Sequence, residues 1–148
     1  MARRVFFSFH HRDLWRANVV RNSGVVEGVS PAGFQDAAIW DDAKKMGDVE
    51  IKKLIDRALD CTSVTVVLIS AHTAHQTYLS YEIDRSIARG NGLFGIRIET
   101  IKNQLGVTDA RGPVPASLTR VGAPIYDWEY GRLGRWVEVA YDQARRRS

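Results

Sequence analysis

Apolar and polar positions alternate along this chain in two rhythms, and the rhythm changes where elements change. Val64-Thr65-Val66-Val67-Leu68-Ile69 is a nearly unbroken apolar run of strand length, as expected of a strand covered on both faces. Val5 to Phe9 predicts a short first strand, Ala37-Ala38-Ile39-Trp40 a weak second and Leu93-Phe94-Gly95-Ile96-Arg97-Ile98 a fourth. Ala123-Pro124-Ile125-Tyr126-Asp127-Trp128 predicts a fifth, at an edge because Pro124 has no amide donor.

Between these runs the period lengthens to that of helices. From Asp48, the residues Ile51, Leu54, Ile55, Ala58 and Leu59 recur at i, i+3, i+4, i+7 and i+8, which is one buried helical face. Asp13 to Asn22 predicts an earlier helix, with Asp13 near its start, where a carboxylate favours the free amides. A third helix is expected from about Tyr78 to Arg89, with Leu79, Ile83 and Ile87 as its apolar stripe and Gly90-Asn91-Gly92 as its stop. A last helix runs from about Arg132 to Arg145. The stretch from Glu99 to Ala123 holds Gly106, Gly112, Pro113 and Pro115, so a short helix followed by an irregular surface segment is expected there.

Five strands joined by helices imply a parallel sheet covered on both faces, an α/β three-layer sandwich of the flavodoxin-like kind. Its cleft is expected at the carboxyl ends of the strands, where strands one and three diverge. The end of strand one brings Ser8, Phe9, His10 and His11 there, and the end of strand three brings Ser70, His72, Thr73 and His75.

Composition bounds the rest. The 148 residues, 45% hydrophobic and 26% charged, suit a single domain over residues 1–148. One cysteine cannot form an intrachain disulfide, so Cys61 is expected to be a small core residue. The amino-terminal apolar run ends too early at Ser8 for a secretory signal, no stretch is long enough to span a bilayer, and a cytoplasmic location is the default. Net charge is +4, with Arg145-Arg146-Arg147 in a basic tail at 145–148; a solvated terminus explains it more simply than nucleic-acid or membrane binding.

Glu82 is the chemically most informative residue, being the only carboxylate in Thr77-Tyr78-Leu79-Ser80-Tyr81-Glu82-Ile83, just after the clearest buried strand. It lies roughly 100° from the centre of the Leu79/Ile83/Ile87 stripe, on the boundary between core and solvent. Two readings stand: a surface acid pairing with Arg85 at i+3, or a carboxylate reaching a ligand at the cleft mouth. Phe9 and Trp40 could stack on a planar ligand or belong to the core. Ser8, His10 and Ser70 could hydrogen-bond a ligand, or end their strands by local hydrogen bonds. Asp41-Asp42-Ala43-Lys44-Lys45 reads either as a loop gating the cleft or as an exposed turn. The four histidines suggest zinc as a rival, but no metal signature is present. There is no G-x-x-x-x-G-K-[ST] loop and no G-x-G-x-x-G after the first strand, so nucleotide triphosphatases and Rossmann dehydrogenases are not supported. Phe9-His10-His11 stands where a response-regulator receiver would carry its acidic metal cluster.

Five pieces in order decide between these readings. Arg4 to His10, Asn18 to Asn22, Trp40 to Lys45, Ser63 to Ile69 and Tyr81-Glu82-Ile83 together resemble the TIR-like ThsB family of the Thoeris anti-phage system. The similarity runs from Arg4 to about Lys102, and more loosely through Gly112-Pro113 and Tyr126-Asp127-Trp128. The resemblance implies a flavodoxin-like TIR fold and an enzyme that cleaves the nicotinamide-ribose bond of NAD+, releasing nicotinamide and a cyclised ADP-ribose signal for a separate effector. It implies that Glu82 is the catalytic glutamate, in the same Tyr-Glu-Ile setting, with Ser8, Phe9, His10, Trp40, Ser70 and Tyr81 as candidate substrate-binding residues. NAD+ would then be a substrate, with no cofactor or metal required, and self-assembly of TIR domains is a further expectation. The alternative on the same fold is a noncatalytic TIR-like module that binds protein partners.

Overall fold

The computed structural model describes residues 2–24, 26–31, 33, 42 and 45–147. Five strands, β1 (Arg3–Ser8), β2 (Val26–Val29), β3 (Val64–Ile69), β4 (Gly92–Arg97) and β5 (Ile125–Asp127), form one sheet in the order β2-β1-β3-β4-β5. All four pairings are parallel, so every strand ends at the same rim of the sheet. After β1 the chain places β2 on one side and β3 on the other. This is the topological switch point expected of a flavodoxin-like sheet, and the crevice beside it is where such folds bind ligands.

Among the described residues the α-helices are α1 (Leu14–Asn22), α2 (Asp48–Leu59), α3 (Leu79–Ala88), α4 (Ala116–Arg120) and α5 (Leu133–Arg147). Among the described residues, no helix is long and apolar enough to cross a membrane.

Strand parity sorts the core into two faces, because successive side chains point to opposite sides of a sheet. Val5, Phe7 and Phe9 of the first strand region join Val64, Val66 and Leu68 of β3, and pack with Ala17, Val20, Trp136 and Val137 of α1 and α5. Phe6 faces the other way, onto Ile55 and Leu59 of α2, while Val67 and Ile69 meet Leu79 and Ile83 of α3. Ser8 therefore shares the face of Phe6 and points toward α2 and α3. Both layers need apolar side chains from a single strand, which is why β3 reads as a nearly unbroken hydrophobic run, interrupted only by Thr65.

Four expectations change. A second strand forms at Val26–Val29, a short edge segment carrying Glu27 and Gly28 whose apolar signal is weak. A Cβ on Gly28 would come within 2.9 Å of the Phe7 ring and the Arg21 side chain, so packing excludes a larger residue. The expected strand at Ala37-Ala38-Ile39-Trp40 lies outside the described residues. The short helix between β4 and β5 follows the irregular segment instead of preceding it, starting where Pro115 caps α4. Finally, the buried face of α3 is Leu79, Glu82, Ile83 and Ser86, with Ile87 44% exposed. Thr65 and Ser86 share a buried hydrogen bond of 2.7 Å, and this polar contact with β3 accompanies a rotation that brings Glu82 inward.

Cys61 is exposed, at the turn before β3, with a φ of 64°; it is not the core residue its composition class suggested.

Candidate functional site

Glu82 occupies the first turn of α3 at the carboxyl end of the sheet, only 4% exposed. Ser8, the last residue of β1, donates its hydroxyl to Glu82 Oε1 at 3.0 Å. Gln76 Nε2 donates to the same oxygen at 2.9 Å and to Ser8 Oγ at 2.7 Å. The second carboxylate oxygen, Oε2, takes no hydrogen bond from the described residues. Burial pushes the Glu82 pKa up to about 7, and the bonds from Ser8 and Gln76 offset part of that rise. The alternative reading, a surface pairing with Arg85, is not met: Arg85 Nε bonds Asp56 Oδ1 at 3.2 Å.

A buried polar network lies beside this group. Ser70, just past β3, donates its hydroxyl to Asp13 Oδ2 at 2.5 Å, and its amide donates to Thr73 Oγ1 at 2.7 Å. Thr73 Oγ1 in turn donates to the Leu68 carbonyl at 3.1 Å, which ties the 3-10 turn Thr73–His75 to the end of β3 and so delivers Gln76 to Glu82. Asp13 is fully buried and makes no cap to α1; burial raises its pKa despite the Ser70 bond. Arg16 stands 3.9 Å from Asp13 Oδ1 and holds the following segment through the carbonyls of Ile101 (2.7 Å) and Val107 (3.0 Å). On the β4 side, Glu99 accepts from Arg97 at 3.0 Å and from the Gly112 amide at 2.7 Å. A Cβ on Gly112 would sit 2.0 Å from the Ser70 carbonyl, so a glycine there allows the segment to close on the site.

The other sequence candidates separate clearly. His10 Nδ1 accepts the Arg12 amide at 3.2 Å, and the His10 ring lies 4.2 Å from His11 and 5.4 Å from His72. His72 Nε2 is 3.6 Å from Asp109 Oδ2, whereas His75 is exposed. Three of the four histidines thus gather at one rim; among the described residues no group of three or more His, Cys, Asp or Glu side chains is placed to hold a metal ion. Phe9 is 3% exposed in the apolar cluster on the α1/α5 face, as strand parity dictates, and is not brought to Glu82. Tyr81 turns to α2, its hydroxyl 3.0 Å from both oxygens of Asp56, and is likewise not part of the Ser8–Gln76–Glu82 group. Trp40, with Asp41, Ala43 and Lys44 of the segment that reads either as a gating loop or as an exposed turn, lies outside the described residues.

Gln76, Asp13 and Arg16 were not among the sequence candidates. Nothing in the spacing around Gln76 marks it, because its role comes from the fold of a turn; Asp13 did carry a signal, an acid one turn from a strand end, which was read as a helix cap.

The arrangement is a partly tied, buried carboxylate at the switch point of a parallel sheet. The family model for the Thoeris protein ThsB, TIR-like domain, matches residues 6–103, from β1 through β4. The chain belongs to the ThsB TIR-like family. A protein of Bacillus cereus (strain MSX-D12) named "Putative cyclic ADP-D-ribose synthase ThsB1" is 40% identical over 150 residues, covering 95% of this chain and 78% of that protein. The ThsB match contains Ser8, Gln76 and Glu82 together, so the polar group described above lies wholly within the family domain.

Proposed function

We propose that this ThsB family member cleaves the bond between nicotinamide and ribose in NAD+ and closes the remaining ADP-ribose into a cyclic signal for a separate effector in anti-phage defence. Two findings support the reading: the relative's name as a cyclic ADP-D-ribose synthase, and the geometry of Glu82. The observation that carries it is a buried carboxylate with one oxygen anchored by Ser8 and Gln76 and the other taking no hydrogen bond from the described residues.

The chemistry asks for such a group. The bond from ribose C1′ to the pyridinium nitrogen breaks with its electron pair leaving on nicotinamide, which departs neutral and needs no acid. Positive charge then develops on the ribose as an oxocarbenium-like state. A fixed anion near it is stabilising, more so in a low-dielectric pocket than in water, and loss of one such preorganised group elsewhere costs about 10²–10³ in rate. The paired carboxylates of ordinary glycosidases are not required. A nucleophile of the same molecule then attacks C1′ to give the cyclic product, or water attacks to give the linear one, and the attacking atom gives up its proton when it carries one. Exclusion of water favours ring closure.

Glu82 acts in its ionised form. With its pKa near 7 in the free protein, kcat/KM for nicotinamide release falls as pH drops below about 7. The cationic substrate favours the anion, so the acid limb of kcat lies at lower pH than that of kcat/KM. Cytoplasmic action follows from the location of the NAD+ pool.

The test is nicotinamide release from added NAD+ in lysates of phage-challenged cells expressing wild type or Glu82→Gln, both confirmed folded. Release by wild type alone supports the proposal. Equal release by both, or none by either across several phages, overturns it in favour of a noncatalytic binding module.

A further inference from the structure

Three groups around the site do not have the same relation to Glu82. Ser8 comes from β1, where parity fixes its direction. The Asp13–Ser70–Thr73 network never touches Glu82; it fixes the turn after β3. Gln76 ends that turn, with an extended backbone at φ −79° and ψ 108°, its amide donating to the Thr73 carbonyl at 3.0 Å. Its side-chain nitrogen serves Glu82 Oε1 and Ser8 Oγ at once, and its own Oε1 is buried without a partner among the described residues.

We infer that Gln76 is a positioning residue of the ThsB site: by donating to Glu82 Oε1 together with Ser8, it turns Oε2 toward the substrate and favours the ionised carboxylate. This rests on the catalytic reading of Glu82. Both donors converge on one oxygen, so the carboxylate plane is fixed while Oε2 keeps its lone pairs for the developing charge. A glutamate held only by Ser8 would be free to rotate about its last torsion, which is broad and two-fold.

The groups that set the ionisation of Glu82 are burial, Ser8 on β1 and Gln76 before α3. The charged and titratable neighbours on the packed elements are engaged elsewhere: Tyr81 and Arg85 of α3 with Asp56 of α2, and Asp13 with Ser70 and Arg16. Substituting Gln76 therefore changes the ionisation of Glu82 without cutting another ion pair.

Two substitutions push in opposite directions. Gln76→Met keeps the length, removes both amide donor hydrogens, and also removes the unpartnered Oε1, so it leaves no new orphan on residue 76. Gln76→Lys restores a donor and adds positive charge. The readout is the titration of the Glu82 carboxyl carbon by NMR in purified wild type and both variants, assigned by its loss in Glu82→Gln, with folding checked by circular dichroism. The midpoint is expected to rise by about one to two pH units in Gln76→Met, the range of a hydrogen bond to a charged group, and to fall below the wild-type midpoint in Gln76→Lys. Midpoints equal to wild type in both variants would overturn the inference, because a merely structural turn residue moves neither. If Gln76→Met fails to fold, a wild-type midpoint in Gln76→Lys overturns it and a lowered one supports it. Nicotinamide release in challenged lysates supplies the second readout: the acid limb moves with the NMR midpoint, with kcat changed more than KM. Displaced midpoints together with no NAD+ cleavage by any variant would leave the positioning intact and refute the proposed function instead.

Discussion

Replacing Glu82 by glutamine tests the burial of this carboxylate through stability, independently of any activity. The ordinary carboxyl value of 4.5 rises to about 7 in the folded protein because Glu82 is buried. At about 1.36 kcal/mol per pH unit, that difference is worth about 3 kcal/mol. The sign follows from proton binding: between pH 4.5 and 7 the folded state holds the proton and the unfolded state has lost it. Stability from this group is therefore fully present below pH 4.5, declines as pH rises through that window, and is gone above about pH 7. Asp13, whose pKa is also raised, has the same sign, but it is present in both proteins and cancels in the difference. Urea or thermal unfolding of both proteins at half-unit steps from pH 4.5 to 8.5 gives the comparison. Wild type is expected to lose about 3 kcal/mol relative to Glu82→Gln across the range, or about 6–12 °C in Tm for a domain of this size. At pH 8 the variant is then at least as stable as the wild type, as expected where a protein gives up stability for a working site. A difference that stays flat from pH 4.5 to 8.5 would mean that Glu82 titrates like a surface acid, and the burial argument would be wrong.

Other consequences can be measured on the same protein. Gly112→Ala would press a methyl into the Ser70 carbonyl at 2.0 Å and is expected to cost about 1–3 kcal/mol in urea unfolding, whereas Gly134→Ala, in α5 with nothing within 4 Å, should gain about 0.5–1 kcal/mol. Phe94→Ala removes a ring that is 1% exposed and edge-on to Tyr126 and Trp136, so a loss of about 3–5 kcal/mol is expected by the same assay. Arg16→Ala removes the guanidinium 3.9 Å from buried Asp13 and takes a donor from the carbonyls of Ile101 and Val107, the latter still accepting the Asn103 amide at 2.9 Å; a loss of about 3–5 kcal/mol is expected, with faster amide hydrogen exchange over residues 101–109.

Particular residues show how far the sequence could be read. The β3 bounds match Val64–Ile69, because a strand buried on both faces carries an undiluted apolar signal. The helix starting at Asp48 was legible from its period, and the flavodoxin-like order followed from alternating strands and helices. Val26–Val29 was not legible, since an edge strand with one glycine and one glutamate has little apolar content to detect. Glu82 was placed at the right turn of the right helix but on the boundary of its face. Its burial comes from Ser8, 74 positions earlier, and from Gln76 on a turn, and neither contact has a local periodicity. Hydrophobicity places the helical stripe through Ile87, whereas the buried face of α3 carries Ser86, bonded to Thr65, and leaves Ile87 44% exposed. Phe9 could have been assigned to the core from parity alone, because it follows Val5 and Phe7 on the face away from Ser8.

The central claim is that Glu82 of this ThsB family chain carries NAD+ cleavage, and nucleotide profiling in cells tests it most directly. Cells expressing wild type or Glu82→Gln at equal level are compared by mass spectrometry before and after phage challenge, tracking NAD+, nicotinamide and species of ADP-ribose mass. The account predicts that NAD+ falls, nicotinamide rises and a new cyclic ADP-ribose species arises in challenged wild-type cells alone. The same new species in challenged Glu82→Gln cells, at wild-type level, would contradict it.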